Sequence, residues 1–295
     1  MEKLTNCPVC KSADLTSYIQ AKDFTVTGEE FNITQCGLCS LRFTNPRPTE
    51  QEISKYYQSE NYISHTDSNS GFINNIYQKV KVITLNQKLK LINKFVPAPN
   101  KKLLDYGCGT GDFMVYAQSG GMDVHGVEPT EEARQKAIGK NLGISSYEDF
   151  FQFQKNSFDV ITLWHVLEHV HELDKVFTNL CMILKQGGYL FIALPNSNAT
   201  DASIYDEFWA AFDVPRHLYH FSPLSFDYFI KLYPVKLIEK KSMPFDPFYI
   251  ALLSEKYKTG KSNFITAFYN GLAGFISGNK AVDKSSSIIY ILQRV

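Results

Sequence analysis

An apolar run ends in Asp105-Tyr106 and is broken at once by three alternate glycines, Gly107, Gly109 and Gly111, before a new apolar segment starts at Phe113. A chain written this way turns sharply from a buried strand into a helix, with a backbone bare enough for a ligand to lie against it. The spacing is not the G-x-G-x-x-G of dinucleotide sites. The residue after the third glycine is Asp112, and a carboxylate there would face a pyrophosphate at a helix N-terminus. The turn suits a nucleoside without phosphates. Glu128, roughly twenty residues further on and closing a second apolar run, is placed to hold ribose hydroxyls.

From Lys102 onward the pattern alternates. Strands are expected at 102–106, 124–128, 143–147, 158–164, 188–194, 235–242 and 287–294, and helices at 111–120, 130–141, 171–186 and 223–233. Such alternation predicts an α/β fold, a parallel sheet covered on both faces with its ligand at the carboxyl ends of the strands. Residues 100–295 are read as one such domain, with an aromatic-rich insertion at 244–286 that reads as two amphipathic helices serving as extra core, a dimer face, a cap over the substrate or a membrane-surface contact. Before it, residues 46–99 form a helical linker. There Thr49 and Glu52 make a capping box, 61–71 is a polar loop, and apolar spacing from Phe72 predicts a long helix stopped by Pro97 and Pro99.

Strand, glycine turn, helix and second acid in this order resemble the class I S-adenosylmethionine-dependent methyltransferases, over about residues 100–243 and the last strand. The resemblance implies a Rossmann-like sheet of seven strands with the last one antiparallel. It also implies S-adenosylmethionine as cofactor, with Asp105, Gly107, Cys108, Gly109 and Gly111 around the methionine end and Glu128-Pro129 at the ribose. Trp164 and His165, at the end of the fourth strand of that sheet, would flank the cofactor; Glu168 and His169 read as capping or packing in the next turn.

Residues 1–45 read as a separate zinc-ribbon-like module. Cys7-Pro8-Val9-Cys10 and Cys36-Gly37-Leu38-Cys39 each put two thiolates on a tight turn, and two such pairs imply one tetrahedral zinc ion. Four sulfur ligands leave no open position for a reacting water, so the Zn2+ is expected to be structural. Thiol redox pairs are the competing reading.

Methyl transfer needs alignment, exclusion of water and a base when the acceptor starts protonated. The segment Asp213-Val214-Pro215-Arg216-His217-Leu218-Tyr219-His220 follows the fifth strand of the sheet and holds two histidines, the side chain best suited to take a proton near neutral pH. A four-cysteine module ahead of such a domain is similar to the sugar-nucleotide C-methyltransferases of deoxysugar pathways, whose base histidine falls on His217 here. His220 and His165 are substitutes. Arg216 stands where that group has a glutamate, and the group's large C-terminal domain is not matched. Arg216 is then expected to grip a phosphate or carboxylate of the substrate. Tyr62 is the nearest match to a tyrosine that reaches the substrate in that group.

Lysine plus arginine and aspartate plus glutamate each number 30 in 295 residues, which speaks against a nucleic-acid partner. The N-terminus lacks the apolar core of a signal peptide, and no apolar run is long enough to span a bilayer. The sequence thus leads to a cytoplasmic enzyme, with a homo-oligomer allowed, that methylates a small polar acceptor such as a sugar, saccharide or secondary metabolite. The alternatives are a zinc-knuckle RNA methyltransferase and a non-catalytic cofactor-binding partner protein.

Overall fold

The structure, a computed structural model, describes residues 1–58, 72–261 and 263–295, except for the side chains of 72–77. The chain opens with β1 (Leu15–Lys22), β2 (Glu30–Cys36) and β3 (Arg42–Thr44), followed by a short 3-10 turn at Ile53–Tyr57 and the long helix α1 (Phe72–Phe95). Glu52 does reach back to the Thr49 amide, as the capping-box pattern predicts, but the turn it starts is 3-10.

Strand and helix then alternate through β4 (Lys102–Tyr106), α2 (Asp112–Ser119), β5 (Asp123–Val127), α3 (Glu131–Ile138), β6 (Gly143–Ser145), α4 (Tyr147–Phe150) and β7 (Phe158–Trp164). Next come α5 (Leu173–Ile183), β8 (Leu184–Pro195), α6 (Thr200–Tyr205), the two-residue β9 (Tyr219–His220), α7 (Pro223–Ile230) and β10 (Val235–Ser242). The helical pair α8 (Asp246–Thr259) and α9 (Phe264–Lys280) precedes β11 (Ser287–Arg294).

Seven strands form the main sheet in the order β10-β11-β8-β7-β4-β5-β6. β4, β5, β6, β7 and β8 run parallel, and β11 pairs antiparallel with both β8 and β10. This is the Rossmann-like α/β sheet with one reversed strand expected from the sequence. Its inner strands carry apolar residues on both faces, because both faces are covered. Val160, Phe191, Ile289 and Ile291 point to one side, against Leu85 and Ile92 of α1 and Met114 of α2. Ile161, Ile192, Ile288 and Tyr290 point to the other, against Val176 and Leu180 of α5 and Phe226 of α7. Each fully buried side chain of this size contributes roughly 1.5–3 kcal/mol.

The second sheet, β1-β2-β3-β9, crosses the boundary expected at residue 45. Arg42 and Phe43 pair with His220 and Tyr219, so the loop after β8 supplies the outer strand of the cysteine module. Thr44 strengthens the seam, its amide donating to Leu218 O and its hydroxyl to His217 O. Among the described residues no helix is long and apolar enough to cross a membrane.

Candidate active site and cysteine centre

The glycine turn sits between β4 and α2 at the carboxyl edge of the sheet. Gly107 has φ +74° and Gly109 φ +55°, a region that favours glycine. A Cβ on Gly107 would stand 2.5 Å from a methyl of Val166, whereas one on Gly109 would meet nothing within 4 Å. The turn is therefore packed hard on one side and bare on the other, the shape of a cradle. The Gly107 and Cys108 amides donate to Val127 O. Glu128 closes the far side, accepting from the Gly109 amide at 2.9 Å and from Thr130 N at 2.9 Å. Pro129 follows it at the start of the turn into α3.

Asp105 is buried and accepts a 2.6 Å hydrogen bond from the Thr162 hydroxyl. Burial pushes its carboxyl up to about 7. Asp112, which in the sequence argued against a pyrophosphate, lies between Lys81 and Lys140 and is neutralised by both. The case against a dinucleotide thus rests on the glycine spacing and Glu128 rather than on a bare Asp112.

Trp164 stands edge-on to Phe113, 5.4 Å between ring centroids, and its buried indole N–H has no partner. Lys88 of α1 holds its ammonium 4.2 Å from the Trp164 ring centre, and burial lowers it to about 8. Two donors, one orphaned and one cationic, thus converge beside Asp105 and the turn. A carboxylate-bearing ligand fits there, and a ligand with hydroxyl donors fits at Glu128, whose carboxylate accepts. Sequence reasoning passed over Lys88, one lysine among several on an amphipathic helix, because nothing local tells which of them turns inward. Lys88 and Asp246 also border a cavity of about 460 Å³ whose walls include Leu91, Met243, Phe245 and Ile289.

His165 has φ +59°, and its ring lies between Asp246 Oδ2 at 3.3 Å and Glu168 Oε1 at 3.5 Å. Burial opposes its charge, but the two carboxylates prevail and raise it to about 9. An imidazolium at neutral pH is no base, which removes His165 from that role. Asp246, the first residue of α8, brings the 244–286 insertion onto the site. The same insertion leaves Phe264, Ile265, Phe268 and Tyr269 of α9 exposed.

The loop between β8 and α7 places its charged residues differently from expectation. Arg216 is 1% exposed and faces inward. Its Nε and Nη2 bond Asp213, Nη2 also reaches Asp23 Oδ1 at 2.9 Å, and Nη1 donates to Tyr56 O at 2.8 Å. The expectation that Arg216 grips a substrate anion is corrected: its fork already holds two carboxylates of the protein. His220 is corrected likewise. The Thr44 hydroxyl spends its proton on His217 O, so His220 Nε2 must donate to Thr44 Oγ1, 3.1 Å away. Burial holds its imidazole well below the usual range, and it braces the seam between the two sheets.

His217 is the other histidine of this loop. Its Nδ1 donates to Ala211 O at 2.9 Å, since a carbonyl can only accept, and Nε2 therefore carries the lone pair. Its ring meets that of His169 edge-on, 4.6 Å between centroids, and Glu168 lies beside both. Glu168 and His169 were expected to cap or pack after β7; instead both are drawn into this cluster. The signal available was positional, since the loops after two neighbouring parallel strands open at one edge. Tyr62 lies outside the described residues.

At the other end of the small sheet, one sulfur each of Cys7, Cys10, Cys36 and Cys39 lies within 4.8 Å of the others. The Cys7–Cys39 and Cys10–Cys36 sulfurs are 3.5 and 3.4 Å apart, too far for disulfides. They approach the edge of about 3.8 Å that a tetrahedron of 2.3 Å metal–sulfur bonds requires. A hydrogen bond from Cys39 draws the Cys7 thiol down to about 5, and Cys39 is raised in turn. Four clustered sulfurs of this kind fit a zinc ion.

Comparison with known proteins agrees with the geometry. Residues 80–231 match the family described as a methyltransferase domain, and the chain belongs to that family. Relatives include ubiquinone biosynthesis O-methyltransferases from Thiobacillus denitrificans, 32% identical over 121 residues, and Coxiella burnetii, 29% identical over 159 residues. These alignments cover 38% and 51% of the chain and 52% and 66% of the relatives, so the chain spans about half to two thirds of their length. Among solved structures, magnesium protoporphyrin IX methyltransferase from Synechocystis, with bound S-adenosylhomocysteine, has a TM-score of 0.55 at 13% identity, covering 82% of this chain and 98% of that one. The 4+2 cyclase SpnF has a TM-score of 0.50 at 15% identity, covering 70% and 80%. The second comparison is a reminder that this fold alone does not dictate the reaction.

Proposed function

We propose that this protein transfers the methyl group of S-adenosylmethionine to an oxygen of a small polar acceptor. The carrying observation is the cradle: a turn open only on its Gly109 side, with Asp105 and Glu128 at its two ends. In this reading Asp105 faces the cofactor's ammonium, Lys88 and the Trp164 N–H its carboxylate, and Glu128 its ribose hydroxyls. Bound, the cofactor supplies an activated methyl on a sulfonium. The names of the matched relatives favour oxygen as the methylated atom over the carbon of a ketosugar.

The chain's own residues supply alignment and proton handling. His217, with Nδ1 anchored on Ala211 O and Nε2 4.0 Å from Asp213 Oδ2, is the proposed base, and the cavity beside Lys88 and Asp246 is the proposed acceptor space. A structural zinc in the four-cysteine centre would hold the small sheet whose β3 strand positions β9 and, just before it, His217. The test is His217→Ala, measured by calorimetry with S-adenosylmethionine and by turnover with labelled cofactor on small hydroxylated acceptors. Cofactor affinity should stay within about threefold while turnover falls roughly 10²–10⁴-fold. Unchanged turnover would end the assignment of His217, and no measurable cofactor binding by the parent protein would end the whole reading.

A further inference from the structure

The cavity beside Lys88 and Asp246 is a groove between one face of α1 and the end of β10. Thr84, Gln87, Lys88, Leu91 and Lys94 recur at intervals of three and four, so they share the face of α1 that borders it. Lys90 stands at the margin of that face, and Lys241 comes from β10, on the same side of the strand as Glu239. The carboxylates nearby are already engaged. Asp246 Oδ2 lies 3.3 Å from the His165 ring, and Glu239 lies 2.9 Å from both Lys94 and Lys241. Among the described residues Lys88 and Lys90 make no ion pair, Lys88 resting on the Trp164 ring instead. Four ammonium groups thus border a space in which Asp246 is matched by His165, and the carboxylate of Glu239 is shared between two of them. The chain as a whole carries equal numbers of acids and bases, so this excess is local. Leu91, Met243, Phe245 and Ile289 give the same space apolar walls.

A groove with a lysine rim and apolar walls suits a molecule that has both a negative group and an apolar body. We propose that it binds an amphiphilic anion, a hydroxylated and largely apolar molecule whose carboxylate or phosphate lies among Lys90, Lys94 and Lys241. Because Glu239 holds two lysines, one of them can turn to the ligand without leaving that carboxylate stranded. Lys88, assigned to the cofactor's carboxylate, marks the other end of the groove. Lys94 follows it by six residues of helix, an advance of about 9 Å. The hydroxyl of the bound anion then lies near Lys88 and Asp246, about 9 Å from its charged group. Binding of the anion stands on these residues alone; its being the methyl acceptor rests on the methyl-transfer reading above. It narrows the small polar acceptor of that reading to an anionic one, and the length of the groove selects which hydroxyl is presented.

The test titrates the full chain with anilinonaphthalene sulfonate, a fluorescent aromatic anion, and with phenylnaphthylamine, the same rings without the sulfonate. Both titrations are run with and without saturating S-adenosylhomocysteine, which keeps the dyes out of the cofactor cradle. A saturable site for the anionic dye is expected. In the double variant Lys90→Gln, Lys241→Gln it should weaken roughly 5–30-fold, what two exposed ion pairs are worth, while the neutral dye changes less than twofold. Thermal unfolding reports whether the variant is folded; if it is not, Lys90→Gln alone, at an exposed position, should weaken the anionic dye roughly two- to fivefold. Dihydroxybenzoate or phenyl phosphate should displace that dye, and whichever acts at the lower concentration tells carboxylate from phosphate; catechol, which is neutral, should not. No saturable site, a site indifferent to the lysines, equal loss of both dyes, or displacement by neither anion overturns the proposal. Dye binding as expected in a chain that binds no S-adenosylmethionine ends the methyl-transfer reading and leaves the groove standing. Transfer of labelled methyl to neutral acceptors alone keeps that reading and overturns the anion as acceptor.

Discussion

Replacing Arg216 with Met tests what the buried loop charges do. The guanidinium is 1% exposed, Asp23 is 0% exposed at its side chain and Asp213 is 23% exposed. Methionine keeps most of the volume and removes the charge, leaving two carboxylates facing each other without a cation. Breaking a buried pair by removing one partner costs about 3–5 kcal/mol, because the other charge is stranded. Asp23 retains amide bonds from Thr25, Val26 and Thr27, which favours the lower end, about 3 kcal/mol. For a chain of 295 residues, with an unfolding entropy of about 2.1 cal/mol/K per residue, that is a fall in melting temperature of roughly 5 °C. Adding Asp23→Asn should recover part of the loss, since one stranded charge is then gone. Thermal unfolding of the single and double variants, each checked for two-state behaviour, measures both numbers. The opposite reading, an arginine held ready for a substrate anion, predicts unchanged stability and a raised KM. A loss below about 1 kcal/mol in Arg216→Met would refute the structural role.

Two further predictions concern the cofactor turn and the cysteine centre. Asp105 carries its proton to about pH 7 in the cofactor-free protein. A protonated carboxyl cannot pair with the cofactor's ammonium, so affinity for S-adenosylmethionine should fall by up to about tenfold per pH unit below 7, a slope that calorimetry should find abolished in Asp105→Asn, and should fall again above about 8 as Lys88 loses the charge proposed to hold the cofactor's carboxylate. For the cysteine centre, denaturation in the presence of a chromogenic chelator should release about one zinc per chain; Cys36→Ser should lose that zinc and show reduced protection of the β3 and β9 amides in hydrogen exchange.

The main sheet was legible because its signals are local. Leu103-Leu104 before three alternate glycines specifies strand, turn and helix within a dozen residues, and the strands at 102–106, 158–164, 235–242 and 287–294 occur where the apolar runs place them. β8 starts earlier than its apolar core, at Leu184, since Gly187 and Gly188 interrupt the pattern without ending the strand. The cysteine pairs were equally local. What escaped was decided by contacts far apart in the chain. Nothing near Arg216 announces Asp23, 193 residues away, and nothing near Arg42 announces His220. Glu168 and His169 looked like ordinary turn residues because their neighbour His217 comes from another loop.

The pairing of β3 with β9 makes the two halves of the chain poor candidates for exchange. A chimera that transplanted the first 45 residues from a relative would also have to carry that relative's 212–222 segment. Otherwise the foreign edge would meet a strand whose register, threonine clasp and buried arginine were fitted to another partner. Inheritance of the cysteine centre is thereby tied to inheritance of the histidine loop, and the two should vary together among homologues as a single unit.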